Sequence, residues 1–247
     1  MLLKRYAQVG MQSAYDAIRR QPWLYDRRHD SMHASHRRWM HVMLRGMTRL
    51  AGLRHRFFNR SVPQGARLNL GSGRRPLPGW INADLNPFSG AEMWVDLRDR
   101  WPIRDNSVSA IYVRHCLEHF AERDLLQILC QCARVLQPGA GVRIGVPSLE
   151  VAIQQYLRRD FSFADWLTPH QPTAKTFVGY ITDNGNHPIM LDFEYVAHLL
   201  GEAGFTQITR RPGGDSAILD ASLLPACDTE ADWATLYVEA VKPPREA

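Results

Sequence analysis

Between residues 66 and 150 the apolar positions come in short blocks, each closed by a glycine turn, an acid or a histidine. Arg67-Leu-Asn-Leu-Gly-Ser-Gly73 reads as a strand running into a Gly-x-Gly turn, and Ile81-Asn-Ala-Asp84 as a second strand ending in a carboxylate. Trp94-Val-Asp96 predicts a short third strand with the same ending, and Val108-Ser-Ala-Ile-Tyr-Val113 a fourth that runs into His115-Cys-Leu-Glu-His119. The period then changes. Leu125, Ile128, Leu129, Cys132, Val135 and Leu136 recur on one face of a helix over Glu122 to Leu136, which Pro138-Gly139 is expected to stop, and Gly141-Val-Arg-Ile-Gly-Val146 supplies a fifth strand.

Strands at regular intervals, with a helix crossing between the fourth and fifth, argue for a parallel sheet in an α/β layer fold. Ligands of such sheets sit beyond the carboxyl ends of the strands, where Gly71, Asp84, Asp96 and His115 all fall. Gly71 and Gly73 let the backbone turn and approach a ligand, and an acid closing the next strand can accept both hydroxyls of a ribose. Arg74 and Arg75 stand where a third glycine would extend the turn, which argues against a dinucleotide pyrophosphate. The stretch from Arg74 to Gly79 is also far shorter than the crossover of about a dozen residues that parallel strands normally need. The first helix is therefore shortened or lost, the second crossover over Leu85 to Met93 is equally bare, and one side of the site needs cover from elsewhere.

Taken in order, Leu-Asn-Leu-Gly-Ser-Gly73, Pro76-Leu-Pro-Gly-Trp-Ile-Asn-Ala-Asp-Leu85, Asp105-Asn-Ser-Val-Ser-Ala-Ile-Tyr112, His115-Cys-Leu-Glu-His119 and Arg134-Val-Leu-Gln-Pro-Gly139 resemble a class I methyltransferase that uses S-adenosylmethionine, nearest to the predicted group related to type 11. The resemblance is strongest over residues 66–150 and implies a Rossmann-like, mostly parallel sheet with an antiparallel last strand. It implies that Leu70, Gly71, Ser72 and Gly73 form the loop under the methionine part of the cofactor. Asn69 takes the position where the family usually has an acid, so a charged contact to the cofactor amine becomes a neutral one. Asp84 would hold the ribose hydroxyls, Asp96 and Leu97 would border the adenine, and His115 would lie near the methionine end and the acceptor.

His115-Cys-Leu-Glu-His119 also matches His-x-x-Glu-His, a zinc motif of inverted metalloproteases. That chemistry needs both histidines on one helix face, whereas here a strand ends directly before His115 and no third ligand stands out, so no resident metal is expected. His119 reads equally well as a packed histidine at a helix start.

Downstream, Tyr156 to Tyr180 is rich in aromatics, Pro and Thr, and predicts an insertion at about 151–190 over the active site. Thr182-Asp-Asn-Gly-Asn-His187 makes a polar loop, Asp192 to Ala203 a helix, Phe205 to Arg211 a strand and Thr235 to Val241 the last strand, at an antiparallel edge. Tyr180, His187 and Asp192 are acceptor-side candidates, with ordinary loop and cap roles as the alternative. Methyl transfer needs alignment and water exclusion more than covalent help. A base serves an acceptor hydroxyl, and His115 or His187 is the candidate. The expected reaction is transfer to an oxygen or nitrogen of a small molecule, sugar or glycan. RNA methylation, and a binding protein that keeps the fold without the reaction, are the alternatives.

Charge adds an asymmetry. Of the 247 residues, 1–60 carry thirteen Lys/Arg against three acids, a balance of +10, and the remainder carries 17 against 22, a balance of −5. The basic segment reads as helices over Leu2 to Arg20 and Ser31 to Phe58, with Trp39, Met40, Met43, Leu44, Met47, Leu50 and Phe57 at helical spacing. It is expected to act as a lid over the site or as an interaction surface, RNA included through phosphate neutralisation. A hydrophobic share of 45% with 22% charged residues is that of a globular domain, and no apolar run approaches the ~18 residues of a membrane span. Cys116, Cys130, Cys132 and Cys227 show neither metal spacing nor a secreted disulfide framework, so a reducing, cytoplasmic setting is expected. Nothing in the sequence fixes the oligomeric state.

Overall fold

The computed structural model describes residues 62–86, 89–160, 173–225, 228 and 234–244. Among them a single twisted sheet is built from β1 (Ala66–Leu70), β2 (Ile81–Asp84), β3 (Met93–Trp94), β4 (Val108–Arg114), β5 (Leu136–Pro147), β6 (Thr206–Arg211) and β7 (Thr235–Val241). Their order across the sheet is β3-β2-β1-β4-β5-β7-β6. The first five strands are parallel, and β7 runs antiparallel to both neighbours. This is the mostly parallel sheet with an antiparallel last strand that the sequence predicts. The chain leaves β1 in one direction across the sheet and β4 in the other, so the carboxyl ends of these two strands form the topological switch point at which such sheets bind ligands.

One face of the sheet is covered by helices. Ile111 and Val113 of β4 and Val142, Ile144 and Val146 of β5 share a core with Leu125, Ile128, Leu129, Cys132 and Val135 of α1 (Glu122–Val135). Val196, Leu199 and Leu200 of α4 (Phe193–Glu202) belong to the same core. Each such aliphatic side chain contributes about 1.5–3 kcal/mol when fully buried. α1 ends at Val135, and β5 begins at once. Pro138-Gly139 does not follow the helix as a separate stop but lies inside β5, in the irregularity that takes the register from Val108↔Leu136 to Ala110↔Gly141. α2 (Leu149–Arg158), capped by Ser148 Oγ accepting from Val151 N at 3.2 Å, and α3 (Thr173–Thr182) occupy the expected insertion.

Among the described residues, no crossover helix lies on the opposite face. From Gly71 to Trp80 the chain makes only turns, and Asn82 holds it in place: its Oδ1 accepts from Leu77 N at 2.7 Å and from Asn69 Nδ2 at 2.8 Å, while its Nδ2 donates to Leu77 O at 3.1 Å. Cover comes from the β6–β7 connection. Leu219, with Ile218, Leu223 and Leu224, packs on Trp80, Ala110 and Tyr112. A Cβ on Gly141 would meet Ile218 Cδ1 at 2.8 Å. Beside this patch, Arg143 is fully buried between two acids: Asp228 accepts from its Nε at 2.8 Å and Nη2 at 2.7 Å, and Glu239 accepts from Nη1 at 2.9 Å. Part of the cover expected of an N-terminal lid is thus supplied from the C-terminal half; the helices predicted within residues 1–60 lie outside the described residues.

Candidate active site

The loop after β1 is shaped by positive backbone φ at Gly71 (+64°) and Gly73 (+54°). Its tip is tied to the neighbouring strand end, because Gly73 N donates to Asp84 Oδ2 at 2.7 Å while Asn86 N donates to Oδ1 at 2.7 Å. Ser72 is buried, and its hydroxyl has no hydrogen-bond partner. Around Gly73, the space that a Cβ would enter has no heavy atom within 4 Å. An open backbone concavity, an unpartnered buried hydroxyl and a carboxylate at the end of the next strand are what the methionine and ribose parts of S-adenosylmethionine require, so these residues fit that cofactor.

Gly71 is glycine for a second reason. A Cβ there would lie 2.2 Å from Cys116 Sγ, so the loop after β1 and the turn after β4 touch at this point. Gly71→Ala is expected to lower unfolding free energy by about 1–3 kcal/mol more than Gly73→Ala, since both carry the strain of positive φ but only the first meets a packed neighbour. Urea titrations of the two variants without ligand check this. Burial, and then the charges of Glu118 and Asp84, push the Cys116 thiol well above its usual range, which keeps it a neutral packing group.

After β4 the backbone turns sharply at His115, whose φ of +50° is rare for a side chain of this size, and a 3-10 turn follows over Leu117–His119. His115 N donates to Gly145 O at 2.8 Å. Its ring is held on both nitrogens: Nδ1 meets Glu118 Oε1 at 3.2 Å, and Nε2 meets Thr235 Oγ1, at the start of β7, at 3.2 Å. The carboxylate only accepts, so Nδ1 carries the proton and Nε2 presents a lone pair to the Thr235 hydroxyl. Glu118, with 1% of its side chain exposed, is the buried partner that sequence reasoning left without a role.

The acceptor-side candidates divide. His187 comes to the same corner, its ring centroid 4.7 Å from that of His119, and burial lowers its pKa. Tyr180 donates to Ala234 O at 3.1 Å, next to Thr235, and burial followed by the charge of Glu118 pushes its pKa up to about 12. Asp192 is instead used as the N-cap of α4, accepting from Tyr195 N at 2.8 Å. On the cofactor side, Asp96 is buried in a two-point ion pair with Arg98, at 2.7 Å to both Nε and Nη2, and Leu97 beside it accepts from Trp101 Nε1 at 3.1 Å. Asn69 donates its amide into the Asn82 cluster under β2. The structure therefore joins Gly71, Ser72, Gly73, Asp84 and His115 around one strand edge and gives Asn69, Asp96 and Asp192 structural partners. Thr235, 120 residues from His115, carries no sequence signal that links the two.

Part of the chain matches a known family. The family described as "Methyltransferase domain" matches residues 91–144, the span from the start of β3 into β5 that holds β4, the His115 turn and α1. No curated protein matches the chain. Among solved structures, a SAM-dependent methyltransferase from Archaeoglobus fulgidus is 12% identical, with a TM-score of 0.47 over 81% of this chain and 94% of that one. A putative methyltransferase in complex with the Trm112 activator from Haloferax volcanii is 16% identical, with a TM-score of 0.46 over 80% and 94%. A possible histamine N-methyltransferase from Thermotoga maritima is 15% identical, with a TM-score of 0.45 over 82% and 99%. The family match over residues 91–144, the strand order with its antiparallel β7, and a glycine loop tied to the acid that ends β2 together support a class I S-adenosylmethionine-dependent methyltransferase.

Proposed function

We propose that the enzyme methylates an oxygen or nitrogen of a small molecule, sugar or glycan, with a hydroxyl oxygen preferred, and that His115 is the base. The observation that carries this reading is the Glu118–His115–Thr235 arrangement at the carboxyl end of β4, one residue from the Cys116 contact to the glycine loop. S-adenosylmethionine, when bound, supplies the electrophilic methyl group. Gly71, Ser72 and Gly73 would hold its methionine part, and Asp84, which ties the loop at Gly73, would hold the ribose. Glu118 fixes the tautomer of His115, so that Nε2, beside the Thr235 hydroxyl, is the lone-pair nitrogen. The Thr235 hydroxyl on Nε2 marks the place an acceptor O–H takes when it gives up its proton. Tyr180 keeps its proton at neutral pH and serves as a wall of the acceptor space, not as a second base.

The test is transfer of labelled methyl groups to a panel of phenols, amines, mono- and oligosaccharides and RNA. Labelling of a hydroxyl-bearing small molecule or saccharide is the expected result, and labelling of RNA alone would overturn the acceptor class. Calorimetry with S-adenosylmethionine and its demethylated product tests the cofactor site separately. Asp84→Ala is expected to weaken binding about ten- to a hundredfold, as loss of hydrogen bonds to a charged acceptor implies.

A further inference from the structure

Glu118 has one carboxylate oxygen more than its surroundings use. Oε1 is engaged by His115 Nδ1, but Oε2 is buried with no hydrogen-bond partner. A buried carboxylate oxygen with no hydrogen-bond partner is costly to keep unless a donor or a cation meets it. Two donors suited to hold such a cation are adjacent: Glu118, His119 and His187 each bring a ligand atom within 4.8 Å of the others. Both rings are oriented from behind. His119 Nδ1 lies 3.3 Å from Asn186 O, and His187 Nδ1 lies 3.3 Å from Ile181 O. A carbonyl can only accept, so Nδ1 carries the proton in each neutral ring and Nε2 carries the lone pair. Carbonyls behind histidines, with a further group behind the carboxylate, are how proteins fix the ligands of a metal. Here His115 is the group behind Glu118.

We propose that Glu118, His119 and His187 bind a divalent first-row transition metal of the zinc type beside the methyl-transfer centre. Two imidazoles and one carboxylate suit such an ion and not magnesium or calcium, which take oxygen ligands. Tetrahedral bonds of about 2.1 Å place ligand atoms about 3.4 Å apart, so groups that already lie within 4.8 Å of one another close on an ion by side-chain movement of about an ångström, with His119 exposed and able to turn. Three protein ligands leave a coordination position open. The ion would join the turn after β4 to the loop that follows α3, which the His119–Asn186 contact and the His119–His187 ring contact already bring together. If the acceptor atom is a hydroxyl oxygen, which rests on the reading above, the open position polarises it; metal binding itself does not depend on that reading. The pairing differs from that of the His-x-x-Glu-His motif: His119 works with His187, and His115 stands behind the carboxylate.

The test uses the full-length, untagged chain, stripped with chelator and titrated with Co(II) and Zn(II) by calorimetry and visible absorption, without cofactor or acceptor. One equivalent should bind, with a cobalt band that zinc abolishes. His187→Ala and Glu118→Gln should each lose at least a hundredfold in affinity, and His115→Ala, which removes only the group behind the carboxylate, about ten- to a hundredfold. Absence of a one-to-one complex in the wild-type chain overturns the proposal. Undiminished binding in a His119→Ala/His187→Ala double variant also overturns it. Cofactor calorimetry on each variant reports whether it is folded, and the wild-type titration decides alone for any that is not. A chain that binds zinc but labels no hydroxyl compound would overturn the acceptor reading and leave the metal site standing.

Discussion

Arg143→Ala is expected to destabilise the fold by about 3–5 kcal/mol, the range found when one member of a buried ion pair is removed and its partners are left charged. At about 2–4 °C per kcal/mol for a domain of this size, the melting temperature should fall by about 6–20 °C. The side chain is fully buried, and its guanidinium sits 4.4 Å from the Tyr237 ring centroid. Burial pulls its pKa down, but the hydrogen bonds and charges of Asp228 and Glu239 outweigh this and hold it above its ordinary value. Nη1 and Nη2 also donate to Asp215 O at 2.9 Å and Pro212 O at 3.1 Å. The same acids hold the covering segment, since Asp228 accepts from Gly214 N at 2.8 Å and Glu239 from Ala217 N at 2.8 Å. Loss of Arg143 therefore loosens the cover over the face that has no crossover helix. Differential scanning calorimetry reads the effect. If the mechanism is uncompensated charge, replacing Arg143, Asp228 and Glu239 together by apolar residues of similar size should recover most of the loss. A triple variant as unstable as Arg143→Ala would reject it.

This network shows where the sequence stopped being readable. Strand ends, the glycine turn and the face of α1 are local patterns: Leu125, Ile128, Leu129, Cys132 and Val135 announce a helix by spacing alone, and all five are buried. Arg143 pairs with residues 85 and 96 positions away, and an arginine inside Gly-Val-Arg-Ile-Gly-Val looks no different from one at a sheet edge. Ile218 and Leu219 sit in a stretch without period, so nothing marked them as the substitute for missing helices. The short connections themselves were legible, and they correctly required cover from elsewhere; which residues supply it depends on the order of β5, β7 and β6 across the sheet. The placement of Asp84 at the end of β2 and of His115 just after β4 was legible because each closes an apolar block. Asp96 also closes an apolar block, and its pairing with Arg98, two residues on, is a contact that the strand-end pattern does not announce. The roles of Glu118 and Thr235 emerge only when β7 is placed against β5, which brings Thr235 level with Pro147.

His115→Ala should lower the rate of methyl transfer by about 10²–10⁴-fold, the usual worth of a positioned general base, while changing the affinity for S-adenosylmethionine by no more than a few fold. The separation of the two effects follows from the geometry. Gly71, Ser72, Gly73 and Asp84 hold together without His115, whereas Nε2 of that ring is the lone-pair nitrogen at the end of β4. Single-turnover rates with the acceptor found in the panel, beside calorimetry with the cofactor, measure both quantities. Thr235→Val provides the contrast. It removes one neutral hydrogen bond from Nε2, worth about 0.5–1.5 kcal/mol, and leaves the nitrogen basic, so turnover should change by about two- to tenfold only. If Thr235→Val were as damaging as His115→Ala, the histidine would be acting through the threonine and not directly on the acceptor. If neither mattered, proximity alone would carry the reaction, and His115 would be a wall of the site. A His115 variant that lost cofactor binding in step with turnover would instead place the ring against the cofactor, with the positive φ at this residue serving to aim it there.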